Sequence, residues 1–435
     1  MAKPKYAKKK KHIFLKILLA LLILILLVVG VSAVLNTITN TKLMTYANSF
    51  SPIAYDNQLK PERDKSTDCI TFTTDEDFRV MQLSDLHLGG GFLSYDEDIK
   101  ALTAAASMIA AEKPDLVIFT GDQVFPVYPI SGTINNIRPV RALGAMMERL
   151  GVYWCVCLGN HDTELYSVAN RAKVSKIYAD RSAYPHSLFE IGPDEVDGCG
   201  NYAVNVKNSK GLITRTFYLL DSHAYTNDDV FGIFWHYDNL HQNQIAWYNS
   251  QVKKMNDCNR QTIASMKLGD EETKALTEQY GNVKSLLFLH IPLHEYRDAF
   301  DEYAKNGYKD TENVKRIYGA IGEKDETIYC SDVEDEMFEA ILEAKSTQGV
   351  FCGHDHYNTS SMDYKGIRLT YGSSIDYLAF VGIDTIGSQR GCTTITAHAD
   401  TTWDYGKENY YQAKYESSVS EQVTMQTLNP NMTDE

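Results

Sequence analysis

Five short patterns in the sequence carry residue types that bind divalent metal ions. They are Asp85-Leu86-His87, Gly121-Asp122, Gly159-Asn160-His161-Asp162, His290 and Gly353-His354-Asp355-His356. Carboxylate, imidazole and amide groups are ligands for borderline and hard divalent ions, and the patterns contain no thiolate. Seven residues carry such groups, and they supply eight ligand positions, enough for two ions, if one carboxylate binds both ions. They are Asp85, His87, Asp122, Asn160, His290, His354 and His356. These patterns therefore predict a site for two divalent metal ions, with Mn, Fe and Zn all compatible.

Each pattern directly follows a short apolar run that is typical of a buried strand. In an open α/β sheet, ligands bind at the carboxyl ends of the strands. One such pattern alone is a weak signal, because loop polar residues and structural histidines are common. Five in succession at strand ends are hard to explain by chance. The predicted strands are Phe78–Leu83, Leu116–Phe119, Tyr153–Leu158, Ser285–Leu289 and Gly349–Cys352.

Helical periodicity alternates with these strands. A capping box of Ser94 and Glu97 predicts one helix start, and Ser331 with Glu334 predicts another. The alternation predicts a layered α/β fold with helices over the sheet faces. Residues 258–282 and 296–330 have no strong period and predict irregular insertions, either lids or plain surface loops. The remaining elements are strands at Ile70–Phe72, Thr216–Leu220 and Ile367–Thr370, and helices at Arg138–Leu150, Asn243–Asp257 and Val333–Ala344.

The ordered patterns resemble those of the calcineurin-like metallophosphoesterase superfamily over about residues 78–380. Three segments are also similar to a purple-acid-phosphatase-like or Dcr2-type branch: 220–222, 288–293 and 350–356. The resemblance implies a layered α/β/β/α sandwich. It also implies a hydrolase that cleaves phosphate esters with two metal ions and a bridging hydroxide.

The resemblance also implies roles for single residues. His161 is not a ligand in the family; it lies over the substrate and protonates the leaving oxygen or steadies the phosphoryl charge. Phe125 stands where true purple enzymes have a tyrosine, and they lack the histidine found here as His87, so we expect a colourless centre. The implied ligands are Asp85, His87 and His356 for the first ion, Asp122 as the bridge, and Asn160, His290 and His354 for the second.

Three further residues are weaker candidates for contact with the ligands or the substrate. Serine/threonine phosphatases have an Asp and an Arg after the Gly-Asp pair, and Gln123-Val124-Phe125 supplies neither. The residue that orients His161 is therefore not identified, and Asp162 is the nearest candidate. His223 follows a predicted strand, and His294 lies four residues after His290.

Composition narrows the class of protein. The chain has 435 residues, of which 44% are hydrophobic, which excludes a wholly disordered chain. Seven lysines lie within residues 1–16, so the other residues carry 35 basic and 57 acidic side chains, a net charge of −22. Because residues 17–435 are this acidic, they repel the phosphate backbone of a nucleic acid, and we expect no nucleic-acid partner.

The N-terminus predicts attachment to a membrane. Residues 17–35 are apolar apart from Gly30 and Ser32, and at about 1.5 Å per residue they match a bilayer's hydrocarbon core. The lysines on one side predict a cytoplasmic segment (1–16), a transmembrane signal anchor (17–35) and an exported remainder. That remainder divides into a juxtamembrane connector (36–77), a catalytic domain (78–400) and a polar tail (401–435). A signal peptide cleaved near Val31-Ser32-Ala33 is the alternative, and it also exports the body.

Export permits disulfide bonds. Cys155, Cys157 and Cys352 lie in apolar strands and are expected to be packing residues. The other five lie in polar stretches, which permit one or two bridges without an identifiable pairing: Cys69, Cys199, Cys258, Cys330 and Cys392.

The leading hypothesis is a membrane-anchored phosphatase with a small phosphorylated substrate. A second enzymatic hypothesis is a phosphodiesterase or pyrophosphatase acting on nucleotides, lipid headgroups or wall polymers. The non-enzymatic alternative is a surface protein that binds metal ions but does not turn over a substrate. Retention of His161, which is not a ligand, favours catalysis. The oligomeric state is not predicted.

Overall fold

Two β-sheets form the centre of the computed structural model, which describes residues 5–410 apart from 228, 230, 231, 381 and 384–389. The smaller sheet has the order β14-β13-β3-β4-β5, and the larger has the order β1-β2-β6-β7-β8-β10-β12-β11-β9. The strands of the smaller sheet are β3 (Phe78–Leu83), β4 (Leu116–Thr120), β5 (Tyr153–Cys157), β13 (Gly391–Ala397) and β14 (Trp403–Asn409). The strands of the larger sheet are β1 (Glu62–Arg63), β2 (Ile70–Thr73), β6 (Tyr202–Lys207), β7 (Ile213–Leu219), β8 (Ser285–Phe288), β9 (Val314–Tyr318), β10 (Thr347–Cys352), β11 (Ser361–Tyr364) and β12 (Ile367–Tyr371).

Eight α-helices accompany the sheets within the described residues. They are α1 (Lys5–Ala47), α2 (Tyr95–Glu112), α3 (Ile137–Leu150), α4 (Arg171–Tyr178), α5 (Gln242–Ser265), α6 (Asp270–Tyr280), α7 (Glu295–Lys305) and α8 (Met337–Ala344). Helices α2 and α3 contribute to one apolar core with both sheets, and α5, α7 and α8 form a second core with the other face of the larger sheet.

The alternation of side chains along each strand explains why there are two cores. Successive side chains of a strand point to opposite faces of the sheet. In β7, Phe217 and Leu219 enter the core between the sheets, whereas Tyr218 enters the outer core under α5. Across the gap, the ring of Phe217 stacks on Phe78 of β3 at 5.9 Å. The layers are therefore helix, sheet, sheet, helix, which confirms the α/β/β/α prediction.

All eight predicted strands are present, with ends displaced by at most three residues. One of the two predicted helix starts is confirmed, because α2 begins at Tyr95, directly after Ser94. The capping bond itself does not form, since the hydroxyl of Ser94 faces the carboxylate of Asp98 at 3.2 Å. The other predicted start was wrong. Helix α8 begins only at Met337, whose N–H donates to Asp335, while Ser331 accepts from Val333 in a separate turn.

The stretches predicted as irregular contain regular structure. Helix α5 continues to Ser265 and α6 follows it, while residues 296–330 contain most of α7 and the edge strand β9. Only one face of α6 meets the body: its one buried residue is Tyr280. A short buried face produces a weak periodic signal, which is why the pattern was missed.

The boundaries of the domain also differ from those predicted. Residues 36–77 are not a separate connector: α1 runs on to Ala47, where Leu43 and Ala47 are fully buried in the core, and β2 pairs with β6. Residues 403–409 are not tail but the strand β14, paired along its length with β13. The rest of the predicted tail, 411–435, lies outside the described residues.

None of the eight cysteines takes part in a disulfide bond, so the bridges that the polar stretches permit do not form. Seven are buried, and only Cys199 is partly exposed. Burial raises the pKa of Cys155 to about 12, and it raises the pKa of Cys69 to about 11. These thiols act as apolar packing groups.

Candidate dimetal centre

The strand ends predicted to carry ligands meet at one edge of the sandwich. Strands β3, β4 and β5 are mutually parallel, and so are β8 and β10 in the facing sheet. Their carboxyl ends therefore open into the same space between the sheets. The glycines at these ends permit the close approach: a Cβ on Gly159 would lie 2.1 Å from the Asp122 carboxylate.

Four buried side chains form a first cluster. The ligand atoms of Asp85, His87, Asp122 and His356 all lie within 4.8 Å of one another. Nε2 of His87 is 3.4 Å from Oδ2 of Asp122, and Nε2 of His356 is 3.7 Å from Oδ1 of Asp85. Two carboxylates and two imidazoles thus converge on one point.

A second cluster shares Asp122. Its other members are His290 and His354, again with ligand atoms within 4.8 Å. Nε2 of His290 lies 3.2 Å from Oδ2 of Asp122 and 3.0 Å from Oδ1 of Asn160. The side-chain oxygen of Asn160 therefore joins this cluster, and Asp122 stands between the two.

The chemistry of the donor set fits divalent ions. Nε2 of His87 and Oδ2 of Asp122 are buried without a hydrogen-bond partner. Nε2 of His290 also lies 3.3 Å from Nδ1 of His354, so two ring nitrogens that can coordinate a cation face each other. Buried polar groups without partners are costly, and coordination removes that cost.

Backbone strain occurs at the same positions. Asp85, His87, Asp122 and His354 have φ between 49° and 78°, in the left-handed region. Residues other than glycine adopt this conformation at a cost of about 1–3 kcal/mol, and they concentrate at functional sites.

The buried acids and histidines of the site shift one another's pKa values. Burial lowers the pKa of His290, but the neighbouring Asp122 more than offsets it and raises the pKa to about 9. Burial would raise the pKa of Asp122, yet His290 and His161 hold it well below its usual range. For His354, burial and then the charge of His290 lower the pKa well below normal.

Asp376, which the sequence analysis missed, lies behind the first cluster. Its Oδ2 is 3.5 Å from Nδ1 of His87 and 3.4 Å from Nδ1 of His356. Backbone N–H groups of Leu378, Ala379 and Phe380 donate to the same carboxylate. It therefore holds both rings with Nε2 turned toward the cluster. Asp376 follows β12, so the polar-residue-after-strand pattern could have found it.

His161 lies beside the first cluster. Its backbone N–H donates to Oδ1 of Asp122 at 2.8 Å, and its ring meets those of His87 and Phe125 edge-on, at 5.5 and 4.9 Å between centroids. The prediction for its orienting partner was wrong: Oε1 of Glu164, not Asp162, lies 2.6 Å from Nδ1 of His161.

Asp162 instead supports the turn that carries the histidine. Its carboxylate accepts from the N–H groups of Gly159 at 2.7 Å and Val124 at 3.1 Å. Burial, reinforced by the charge of Asp122, raises the pKa of Asp162 to about 7.

Within the part of the chain that the structure describes, neither His223 nor His294 has a polar contact with the two ligand clusters. Nε2 of His223 pairs with Gln244 at 2.8 Å, and its ring stacks on His241 at 4.3 Å. His294 lies at the start of α7, with Nδ1 3.5 Å from Asp298. An aromatic residue lies closer to the clusters: the ring of Tyr237 meets that of His354 edge-on, with 4.5 Å between centroids.

Comparison with known proteins identifies the class to which this fold and site belong. The family model for the calcineurin-like phosphoesterases matches residues 78–358. The chain belongs to the calcineurin-like phosphoesterase family, and it is a hydrolase of phosphoester bonds.

Similar proteins come from plants and yeast. The chain is 28% identical over 359 residues to a probable inactive purple acid phosphatase 14 of Arabidopsis thaliana, covering 78% of this chain and 79% of that protein. It is 30% identical over 302 residues to phosphatase DCR2 of Saccharomyces cerevisiae, covering 66% of this chain and 45% of that protein. A solved dimetal phosphatase from Danio rerio is 12% identical with a TM-score of 0.40, over 77% of this chain and 99% of that one.

One helix, within Ile13–Ala47, is long and apolar enough to cross a membrane. Its apolar window has a mean hydropathy of 3.3 and no burial against the rest of the protein.

Proposed function

We propose that this chain is a phosphatase whose centre holds two divalent ions. Asp85, His87 and His356 bind the first ion; Asn160, His290 and His354 bind the second; and Asp122 binds both. The observation that carries the proposal is the position of Asp122 Oδ2, 3.4 Å from Nε2 of His87 and 3.2 Å from Nε2 of His290. When bound, two divalent ions polarise the phosphoryl oxygens and lower the pKa of water at the site.

The protein's own residues supply positioning and a proton. Glu164 faces Nδ1 of His161, so the second proton of the imidazolium form, on Nε2, would be the one given to a leaving group. Asp376 and the Thr120 carbonyl orient ligand rings, the latter through Nδ1 of His290 at 2.8 Å. His161 then protonates the leaving oxygen of the substrate while the ligand rings stay fixed.

Some relatives carry the word "inactive" in their names, so turnover must be measured directly. The experiment is hydrolysis of an aryl phosphate monoester and its diester by the full chain in detergent, with Mn²⁺ and with chelator. The full chain is used because the end of α1 is part of the core. Asp122→Asn is the test variant, and Asp404→Asn, which alters an exposed carboxylate, is its control.

Chelator-sensitive turnover that Asp122→Asn abolishes and Asp404→Asn preserves would support the proposal. Preference for the diester would replace the phosphatase with the phosphodiesterase hypothesis. Turnover indifferent to chelator and to Asp122→Asn would overturn the dimetal mechanism. Two bound metals without turnover of either ester would favour a silent binding protein.

We also propose that α1 anchors the chain in a membrane, with residues 1–16 in the cytoplasm and the catalytic domain outside. The proposal rests on the apolar, unburied segment 17–35 and on the lysines that precede it. Cleavage after Ala33 is the alternative, and the mass of the mature protein distinguishes the two.

A further inference from the structure

Exposed apolar side chains form a rim beside the candidate centre. Large hydrophobic residues are usually buried, and exposed apolar groups in one place mark an interaction surface. The apolar rim consists of six residues whose exposed fractions lie between 41% and 69%: Leu93, Tyr128, Ile130, Ile134, Leu165 and Val168.

Backbone hydrogen bonds tie the three segments of this rim together. The N–H of Leu93 donates to the carbonyl of Ser131 at 3.2 Å, and the N–H of Val168 donates to the carbonyl of Ile134 at 3.2 Å. The three segments that carry the rim are thus neighbours in the fold.

The rim adjoins the point where α1 leaves the proposed membrane span. Asn36 follows the apolar segment 17–35 and is buried. Its Nδ2 donates to the carbonyl of Gly132 at 2.9 Å, and the N–H of Phe92 donates to its Oδ1 at 3.0 Å. The first residue beyond the span is therefore hydrogen-bonded to the two loops that carry Leu93, Ile130 and Ile134.

Charge separates this surface from the rest of the protein. Residues 123–137 and 86–95 contain no Asp, Glu, Lys or Arg, although the chain outside its first 16 residues has a net charge of −22. The nearest charges on α1 and α3 are basic: Lys42 lies over the ring of Tyr95, and Arg138 and Arg141 are on α3 beside α1. Acidic groups lie on one side only, at Asp96 and Glu97 in the first turn of α2. Basic groups flanking an apolar surface suit a lipid interface.

We propose that the apolar rim inserts into the interface of the bilayer that α1 spans. This rests on the proposed anchor. The rim also borders the catalytic residues: Phe125, stacked on His87 at 4.9 Å, lies three residues before Tyr128, and Glu164 directly precedes Leu165. Insertion places the mouth of the centre at the level of the lipid headgroups. The centre thus faces phosphate esters held in the same membrane.

The test is quenching of an added tryptophan by brominated lipid. The full chains of Ile130→Trp and Ile317→Trp are reconstituted in phosphatidylcholine vesicles with and without bromine on the acyl chains. Ile317 is a matched control, since it is exposed to 41% against 45% for Ile130 but lies on the outermost strand of the larger sheet. Fluorescence of the unsubstituted chain is subtracted from each.

We expect the added signal of Ile130→Trp to be quenched strongly by the brominated lipid and that of Ile317→Trp to be unchanged. Equal signals from the two variants would overturn the proposal, and would assign the rim to a protein partner or a substrate wall. Flotation of the chain with the vesicles tests the anchor separately; failure to float overturns anchor and rim together. Turnover of a soluble aryl phosphate by the same samples tests the proposed catalysis and the integrity of both variants.

Discussion

Glu164 and Asp376 show how single side chains prepare the centre without joining the ligand clusters. Each carboxylate faces Nδ1 of a histidine and leaves Nε2 directed toward the site. A carboxylate behind an imidazole determines which nitrogen carries the proton and limits rotation of the ring. Their effects differ because Glu164 acts on the proposed proton donor and Asp376 on proposed ligands.

We expect Glu164→Gln to lower kcat through His161 with little change in KM. Replacing His161 itself with Ala should cost about 10²–10⁴-fold, the usual effect of a positioned acid. Because Glu164 acts through His161, the double variant should be no slower than His161→Ala alone. Glu148→Gln is the matched control, since Glu148 also lies 2.6 Å from a histidine Nδ1, that of His186, away from the centre. Additive losses in the double variant would contradict this positioning role.

We expect Asp376→Asn to weaken metal binding by about 10–100-fold, the range typical for partners behind ligands. The reason is that His87 and His356 both lose the charged carboxylate that faces their Nδ1 atoms. Metal content after dialysis against graded chelator measures the effect. Asp404→Asn, which alters an exposed carboxylate 3.3 Å from His398, should keep its metal. Unchanged affinity in Asp376→Asn would show that the backbone alone holds the rings.

At the scale of secondary-structure elements, the turn after β4 brings the two sheets within contact distance. Gly121 has φ +94°, and a Cβ there would lie 2.1 Å from Nδ1 of His290 on the facing sheet. That spacing leaves no room for a side chain at this crossing.

We therefore expect Gly121→Ala to displace His290 and to abolish turnover with loss of metal. Gly151→Ala is its control: Gly151 also has a positive φ, +72°, but has nothing within 4 Å of its Cβ position. Both variants carry similar backbone strain, so only the contact with His290 distinguishes them. Metal content and turnover are measured for both, and equal losses would assign the effect to strain rather than to the contact.

Helix α7 begins with a buried acid, which makes stability depend on pH. Burial, together with the charges of Asp335 and Glu339, raises the pKa of Glu295 to about 8 from the ordinary value of 4.5. The folded state thus holds the proton more tightly than the unfolded state. Its stabilising contribution is complete below about pH 4.5 and is lost as the pH rises through about 8.

We expect Glu295→Gln, which does not titrate, to gain free energy of unfolding relative to the parent as the pH rises from about 5 to about 8. Chemical denaturation of the full chain in detergent at several pH values measures the difference. Glu334→Gln, an exposed member of the same acidic cluster, should show no such trend. A difference that is constant with pH would show that Glu295 is already ionised in the folded protein.

For the molecule as a whole, the proposed membrane helix and the catalytic domain form one structure. Helix α1 has 43 residues, about 65 Å at 1.5 Å per residue, which exceeds the hydrocarbon thickness of about 30 Å. The excess is not a flexible tether, since Leu43 and Ala47 are fully buried and Tyr46 bonds Thr103 at 2.6 Å. Buried thiols with raised pKa values are poorly reactive toward oxidants. They therefore suit a domain that has no disulfide bonds and is proposed to face an oxidising environment.

We expect protease added outside intact cells to degrade the catalytic domain and to leave a fragment containing residues 1–35 in the membrane. The reason is that the lysines retain the N-terminus on the cytoplasmic side. Immunodetection of tags at both ends of the chain measures the outcome. Full protection of the domain would reverse the topology.

The sequence alone determined the strands and the residue types at their ends, because both are local. An apolar run followed by Asp, Asn or His is visible within ten residues of chain, and parallel strands bring their carboxyl ends to one edge. The layered fold could be predicted for the same reason, because the alternation of strands and helices is also visible in local sequence patterns. It also explains the apolar N-terminal segment, which depends only on composition.

Tertiary structure alone decided which groups act on one another. Asp376 lies 289 residues along the chain from His87, and no spacing rule links them. Glu164 replaced Asp162 as the partner of His161 because a short 3₁₀ turn at His161–Thr163 brings the side chain three residues on against the ring. The rim, likewise, joins three separate loops, two of which are hydrogen-bonded to Asn36. Such partnerships depend on distances across the fold, which are set by packing of the two sheets and not by any one segment.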